Sequence, residues 1–390
     1  MFKRIAAVCV VSLASAAWAD IQPAEGFKVY PYYLPQLPAD KSGQWMIGFD
    51  RGPDKDLYFT TGDFSPAMTL WRYDAGGLAE IWSGPDYAGA GVLATHKTVY
   101  FTEDSNFTLY RYGTRDAAAP VTEYSQPFLY ALAVRGRTLY ASGLDSNWQS
   151  CIYASQLRPD GSLAEKPMLN LGVVGDPSGP LAFDGAGNLY YASGYLSGRI
   201  LKYSAPEVHA ALAGQTPLGQ PAQHVWASFA ATGLDGATGL AFDGQGNLVA
   251  SLTSFGYPSE LVRFGVCAAG NFGGLTELAS STGRISAVQL VNGVICAADE
   301  SGIYTLDRPR IPGDSNRDGK VDFADYQVLE GNFNTHELGW ENGDFDGDGL
   351  VSFADYQQLE ANFGDSIPEP SSLPLLLAGL AAAGRRKMRR

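Results

Sequence analysis

The sequence predicts an all-β six-bladed β-propeller followed by a small all-α unit built from a duplicated motif. Three observations carry this. The segment Leu181-Ala-Phe-Asp-Gly-Ala-Gly-Asn-Leu-Tyr190 recurs as Leu240-Ala-Phe-Asp-Gly-Gln-Gly-Asn-Leu-Val249. The body shows almost no helical periodicity. Beyond residue 311, a second repeat of 30 residues combines an acidic loop with an amphipathic segment.

Each copy of the first repeat reads as an apolar strand, a tight Asp-Gly-x-Gly-Asn turn and a second strand. Asp and Asn side chains bond their own backbone in such turns, and glycine accepts positive φ. A third strand follows about ten residues later, as Ile200-Leu-Lys-Tyr203 and Leu261-Val-Arg-Phe264. Looser copies pair Leu57–Thr60 with Leu70–Tyr73, Val99–Thr102 with Leu109–Tyr112, Leu139–Ser142 with Ile152–Tyr153, and Val294–Ala297 with Ile303–Leu306. Six units therefore begin near 48, 93, 132, 181, 240 and 288. Glu80–Trp82, Thr122–Tyr124 and Val225–Trp226 fit as outer strands, and Phe27–Tyr30 as the strand that completes the sixth unit. Pro206–Ala213 is the one short helical candidate. Four-stranded units of this length repeated radially describe a propeller, so their aromatic and Leu positions are expected in the core between blades.

With 390 residues, 45% of them hydrophobic and 12% aromatic, the chain can bury a substantial core. Its net charge of −14 is concentrated in residues 311–366, where nine Asp and four Glu face only Arg317 and Lys320. An acidic body argues against nucleic-acid binding, which needs a basic face. Cys151, Cys267 and Cys296 remain after the leader, an odd number that cannot form a closed disulfide framework; a Cys267–Cys296 bridge and three buried thiols are both open.

The repeats resemble the NHL and SMP-30/gluconolactonase-like propellers over about residues 26–308. In the latter family a divalent metal sits in the central channel on Glu, Asn and Asp side chains. At the matching positions this chain has Ser178 and Thr238, then Ala192-Ser193 and Leu252-Thr253, so the metal set is incomplete. Asp63, Glu103-Asp104 and Asp299-Glu300 follow second strands and read either as acids lining one mouth of the channel or, more commonly for such positions, as exposed strand-end acids. No nucleophile elbow, zincin helix or phosphate loop occurs. His96, His209 and His224 read as exposed or structural. Two functions stay open for the propeller: a non-catalytic binding or scaffold module, and a carbohydrate-active hydrolase, polysaccharide lyase or lactonase with its site in the channel.

Residues 314–325 and 344–355 are twelve-residue loops of the EF-hand type. Calcium takes about six to eight oxygens, supplied from positions 1, 3, 5, 7, 9 and 12 of such a loop. Those positions are Asp314, Asn316, Asp318, Lys320 (through its carbonyl), Asp322 and Asp325 in the first loop. In the second they are Asp344, Asp346, Asp348, Leu350 (carbonyl), Ser352 (through water) and Asp355. Gly319 and Gly349 take the sharp turn at position 6, and Val321 and Val351 stand at position 8, where apolar residues pair the two loops. Each loop runs into one helix, Phe323–Phe333 and Phe353–Phe363. Two calcium ions are expected. A loop and single helix, duplicated, with Asp at position 12, resembles a type I dockerin over residues 312–364. That resemblance implies folding on calcium and docking to a cohesin through loop positions 10 and 11. Here those are Phe323-Ala324 and Phe353-Ala354, where many dockerins carry small polar pairs; a cohesin-like partner, an intramolecular partner and a structural role are all open.

Residues 1–19 read as a secretory signal: Lys3 and Arg4, an apolar stretch, then Ala17-Trp18-Ala19 before Asp20. At the other end, Ile367-Pro-Glu-Pro370, an apolar run from Leu373 to Gly384 and a basic cluster resemble the PEP-CTERM sorting tag. The apolar run falls short of the roughly 20 residues a spanning helix needs, so membrane association is expected only in transit. The resemblance implies cleavage by an exosortase and a place on the Gram-negative surface or in its extracellular matrix, where a polysaccharide is a candidate ligand. The expected domains are thus 1–19, 20–310, 311–366 and 367–390.

Overall fold

The computed structural model describes residues 21–366 apart from 64, 86, 104–107, 114–118, 125–128, 255–257, 268–269 and 308–309. The expected leader, the sorting tail and Asp104 lie outside the described residues. The chain divides into two compact units between Pro309 and Arg310.

The first unit is a six-bladed β-propeller of antiparallel sheets. The first strands of the blades are Trp45–Arg51, Ala88–Ala94, Leu129–Arg135, Leu181–Phe183, Gly236–Phe242 and Ala287–Val291. Each lies against the first strand of the next blade, and the sixth lies against the first, so they close a ring. Second strands are apolar on both faces, because each blade is covered by a neighbour on either side. Leu57, Tyr58 and Phe59 are all fully buried, as are Leu189, Tyr190 and Tyr191. The core consequently lies between blades. One cluster packs Tyr140, Ile152 and Ala154 of the third blade on Leu189, Tyr191 and Leu201 of the fourth. Each such buried side chain stabilises the fold by about 1.5–3 kcal/mol.

The ring closes as expected: Lys28–Tyr33 pairs antiparallel with Ile303–Asp307 as the outer strand of the sixth blade. Glu80–Trp82, Thr122–Tyr124 and Val225–Trp226 fall within outer strands, and the one helix of the insertion, α1, spans Ala205–Leu212. Two outer strands lacked a sequence signal, Leu169–Val173 and Phe272–Ser281, and Gln22–Pro23 adds a fifth strand to the fifth blade. The repeated turn forms as its residues dictate. Asn188 N donates to Asp184 Oδ1 at 2.9 Å and Asn247 N to Asp243 Oδ1 at 2.9 Å, with Gly187 and Gly246 at φ 95° and 81°. Each Asn also reaches across the blade, its Oδ1 accepting from Ala205 N or Val266 N.

Hydroxyl groups on first and second strands latch blade to blade. Ser142 Oγ accepts from Ala131 N at 3.2 Å and donates to Gly179 O, just before the next blade, at 2.6 Å. Thr238 Oγ1 bonds Ser251 Oγ and donates to Ile285 O in the same manner. Asp50 ties the first blade to the second by accepting from Ala94 N at 2.8 Å. The cysteines are free: Cys151 and Cys296 are buried, whereas Cys267 is exposed, so the reading of three buried thiols is corrected at that position.

Two outcomes follow. Ser142→Ala removes both bonds of a fully buried hydroxyl and should cost about 1–3 kcal/mol in equilibrium denaturation of the mature chain. Burial pushes the Asp50 carboxyl up to about 7. In the folded state it therefore keeps a proton that the unfolded chain, titrating near 4, has already shed. This contribution to stability is full below pH 4 and declines as pH rises toward 7. Denaturation of Asp50→Asn and the parent chain across this range should show the variant gaining relative stability with pH, by at most a few kcal/mol because Asp50 is partly exposed.

Candidate functional sites

The second unit is built from two copies of loop and helix, α2 (Phe323–Asn332) and α3 (Phe353–Ala361). Each helix starts where its loop ends because the ninth and twelfth loop positions form a capping box. Asp322 Oδ1 accepts from Ala324 N at 2.8 Å, and Asp325 Oδ2 from Asp322 N at 2.9 Å. In the second copy Ser352 Oγ accepts from Ala354 N and Asp355 Oδ2 from Ser352 N. The other oxygen of each position-12 carboxylate reaches back to the loop start. Asp325 Oδ1 accepts from Asn316 N and Ser315 Oγ, and Asp355 Oδ1 from Phe345 N at 2.7 Å. One carboxylate thus joins the beginning, the end and the helix of its motif.

The loops fold around their first residue as well. Asp314 accepts from Asp318 N and Gly319 N, at 3.2 and 2.9 Å. Asp314, Asp325, Asp344 and Asp355 are buried; Asp346, Leu350 and Ser352 are half-buried; Asn316, Asp318, Lys320, Asp322 and Asp348 are exposed. Gly319 and Gly349 turn at φ 86° and 88°, and position 4 is left-handed too, as Arg317 and Gly347. Asp344, Asp346 and Asp348 bring carboxylate oxygens within 4.8 Å of one another. Burial, then the nearby Asp325 and Asp318 carboxylates, hold the Asp314 carboxyl above its usual range. A donor set made only of oxygens around concentrated negative charge suits a hard divalent cation.

Val321 and Val351 are fully buried, and the backbone of each bonds to the segment after the other motif's helix. Val321 N donates to Asp365 O and its carbonyl accepts from Gly364 N, in the segment after α3. Val351 bonds Asn334 and Thr335, after α2, in the same way. Each loop is therefore closed by the tail of the other motif. Trp340, which sequence reasoning passed over, donates from Nε1 to Asp314 O at 2.7 Å and packs edge-on against Phe345. Phe323 and Phe353 are exposed and stack on Tyr326 and Tyr356, which meet each other at 6.4 Å.

In the propeller, a cleft of about 610 Å³ opens between the third and fourth blades. Tyr130, Trp148, Gln149, Ser150, Ser178 and Tyr195 contribute to its lining, and none of its described lining residues carries a carboxylate, imidazole or amine. The hydroxyls at the positions compared in the sequence bond to the backbone. Ser178 Oγ donates to Gly143 O, Thr238 Oγ1 to Ile285 O, and Thr253 Oγ1 to Pro258 O. Glu103 and Asp299 are buried, which corrects their reading as exposed strand-end acids. Each serves its own loop: Glu103 Oε1 accepts from Thr108 N and Asp299 Oδ1 from Ser301 N. His96 and His209 are exposed, and His224 pairs with Glu207 at 2.9 Å against the Tyr203 ring.

Residues 312–364 match the family model of the dockerin type I domain, and residues 366–390 match that of the PEP-CTERM protein-sorting motif. No curated protein matches the chain. Among solved structures it is similar to a protein described as the extracellular domain of a hybrid two component system from B. thetaiotaomicron (14% identity, TM-score 0.41, 74% of this chain). The chain spans only 40% of that protein's length. It is also similar to a calcium-binding protein, regucalcin, from Agrobacterium tumefaciens (11% identity, TM-score 0.47, 68% of this chain and 94% of that one). A protein described as a gluconolactonase matches at 14% identity and TM-score 0.46, over 74% and 98% of the two chains. The dockerin match implies calcium binding and a cohesin-type partner, and the sorting motif implies export to the Gram-negative surface with exosortase processing. Among the described residues no helix is long and apolar enough to cross a membrane.

The glycine before each loop tests the interlocked arrangement. A Cβ on Gly313, at φ 104°, would meet Leu359 Cα of α3 at 2.8 Å. Gly313→Ala should therefore destabilise the second unit by more than about 1 kcal/mol, read as a lower melting temperature of its far-ultraviolet helical signal. The exposed substitution Gly331→Ala, where a Cβ meets nothing within 4 Å, should not.

Proposed function

We propose that this is an exported, surface-associated calcium-binding protein whose propeller is a non-catalytic binding module. The observation that carries the reading is the chemistry of the propeller cleft: aromatic, hydroxyl and amide groups line it, with no carboxylate, imidazole or amine among its described lining residues. The hydrolase alternative ordinarily needs two carboxylates facing one cavity. Glu103 and Asp299 instead hold their own loops, which favours binding over turnover.

In this reading residues 20–310 are the propeller, 311–366 a unit that takes two calcium ions, and 367–390 a tail removed on arrival; residues 1–19 direct export. The first ion is held by Asp314, Asn316, Asp318, the Lys320 carbonyl, Asp322 and Asp325. The second is held by Asp344, Asp346, Asp348, the Leu350 carbonyl, Ser352 and Asp355. Calcium would supply the positive charge that lets these carboxylates sit together, so binding and folding of this unit are coupled. Phe323 and Phe353 offer an apolar contact to a docking partner.

Calorimetric titration of the mature chain should give a stoichiometry of two, falling to one in Asp318→Ala and in Asp346→Ala. Chelation should lower the melting temperature of the helical signal. A stoichiometry of zero, or a melting curve indifferent to chelator, would overturn the calcium reading. A panel of polysaccharides and lactones should yield no product; turnover sensitive to substitutions in the propeller would overturn the non-catalytic one.

A further inference from the structure

We infer that the cleft between the third and fourth blades binds an uncharged polysaccharide, with Trp148 as the ring on which a sugar stacks. This rests on the reading of the propeller as a binding module and names its ligand class.

Trp148 is 69% exposed, and its backbone is left-handed at φ 62°. For a large L-residue that conformation costs on the order of 1 kcal/mol. The turn imposes it. Asp145 Oδ1 accepts from both Asn147 N and Gln149 N at 2.8 Å, Trp148 N donates to Asp145 O at 3.0 Å, and Asp145 N to Gln149 O at 2.9 Å. A large apolar ring left mostly open to water on a disfavoured backbone is the kind of surface feature that marks a binding site. The facing loop repeats the pattern: Leu196 is 67% exposed with φ 67°, beside the half-open ring of Tyr195.

Three of the loops that meet at the cleft are pinned. Ser197 N and Gly198 N both donate to Asp235 O, at 3.0 and 2.9 Å. The loop before the fourth blade is fixed by the Asp176 carboxylate, which takes Arg199 Nε at 2.6 Å and Nη2 at 2.5 Å, and by Tyr191 Oη donating to Pro177 O at 2.7 Å. A ligand would not have to order them, so little affinity is lost on binding.

The lining then selects the ligand. Among the described lining residues an anion would find no cation and a cation no carboxylate, while a wholly apolar ligand would leave the Gln149 amide unmatched. A pyranose presents an apolar C–H face to an aromatic ring and hydroxyls to amide and hydroxyl groups, which is the mixture found here. The volume of about 610 Å³ lies within the ~300–1,000 Å³ of small-ligand sites, and the open side lets a longer chain run on.

The test uses the mature chain with cellohexaose, xylohexaose, mannohexaose and maltohexaose, and with hexagalacturonate as an anionic control. Among the described residues Trp148 is the exposed tryptophan, the others being buried or half-buried, so protection from iodide quenching reports on it. At least one uncharged hexasaccharide should protect Trp148 with a Kd below about 1 mM, and hexagalacturonate should not. Trp148→Ala should weaken binding about tenfold or more at unchanged melting temperature, and Trp148→Phe should restore most of it. No binding by any of the four, or equal affinity in Trp148→Ala, would overturn the ligand class while leaving the non-catalytic reading intact. Shortened sugars in the mixture would overturn the non-catalytic reading but support the ligand class.

Discussion

The pairing of Lys28–Tyr33 with Ile303–Asp307 is the constraint on which the propeller depends. No blade has a core of its own: Leu189, Leu201 and Tyr203 of the fourth are buried only because the third packs on them. A ring of such units is stable only when every face is covered, and coverage is complete only when the two ends of the unit share a sheet. Loops at the strand ends inherit this rigidity. The cleft over Trp148 exists because the third and fourth blades hold three short turns at fixed separations, each tightened by bonds to neighbouring strands.

Closure also explains the chemistry of the inner strands. Where six strands crowd a centre, side chains must be small, and buried backbone groups of adjacent blades need partners. Thr238 meets both demands, since a hydroxyl is small and bonds in two directions, and Ser142 on a second strand latches blade to blade in the same way. Ser178 and Thr253 are likewise bound to carbonyls, so a metal would have to compete with the fold for their oxygens.

What was legible in the sequence follows from the range of each interaction. Six blades, the Asp-Gly-x-Gly-Asn turns, the strand that closes the ring and α1 depend on residues adjacent in the chain or on a repeated pattern. Both motifs of the helical unit were readable for that reason, since ligand, glycine and apolar positions recur at a fixed interval. Phe272–Ser281 was not, because Gly273, Gly274 and exposed residues such as Leu275 erase its alternation. The crosswise bonds of Val321 and Val351, the Trp340 anchor and the Ser142 latch join residues more than ten apart, with nothing local to mark them. Glu103 and Asp299 misled because a carboxylate at a strand end is ordinarily solvated, and here each is buried, accepting from Thr108 N or from Ser301 N and Gly302 N.

The two units handle polarity in opposite ways. The helical unit buries few large side chains and crowds acidic groups, with Asp314, Asp325, Asp344 and Asp355 all buried. Such a unit cannot be stable on apolar burial alone, and an external cation is the physically consistent remedy. The propeller instead buries large apolar side chains in abundance between its blades. An ion-dependent fold suits a protein that leaves a calcium-poor interior for a calcium-containing exterior, because the helical unit would then mature only after export. The binding cleft, already rigid, would be competent as soon as the ring closes. Separating the two dependencies lets the docking face await its ion while the cleft does not.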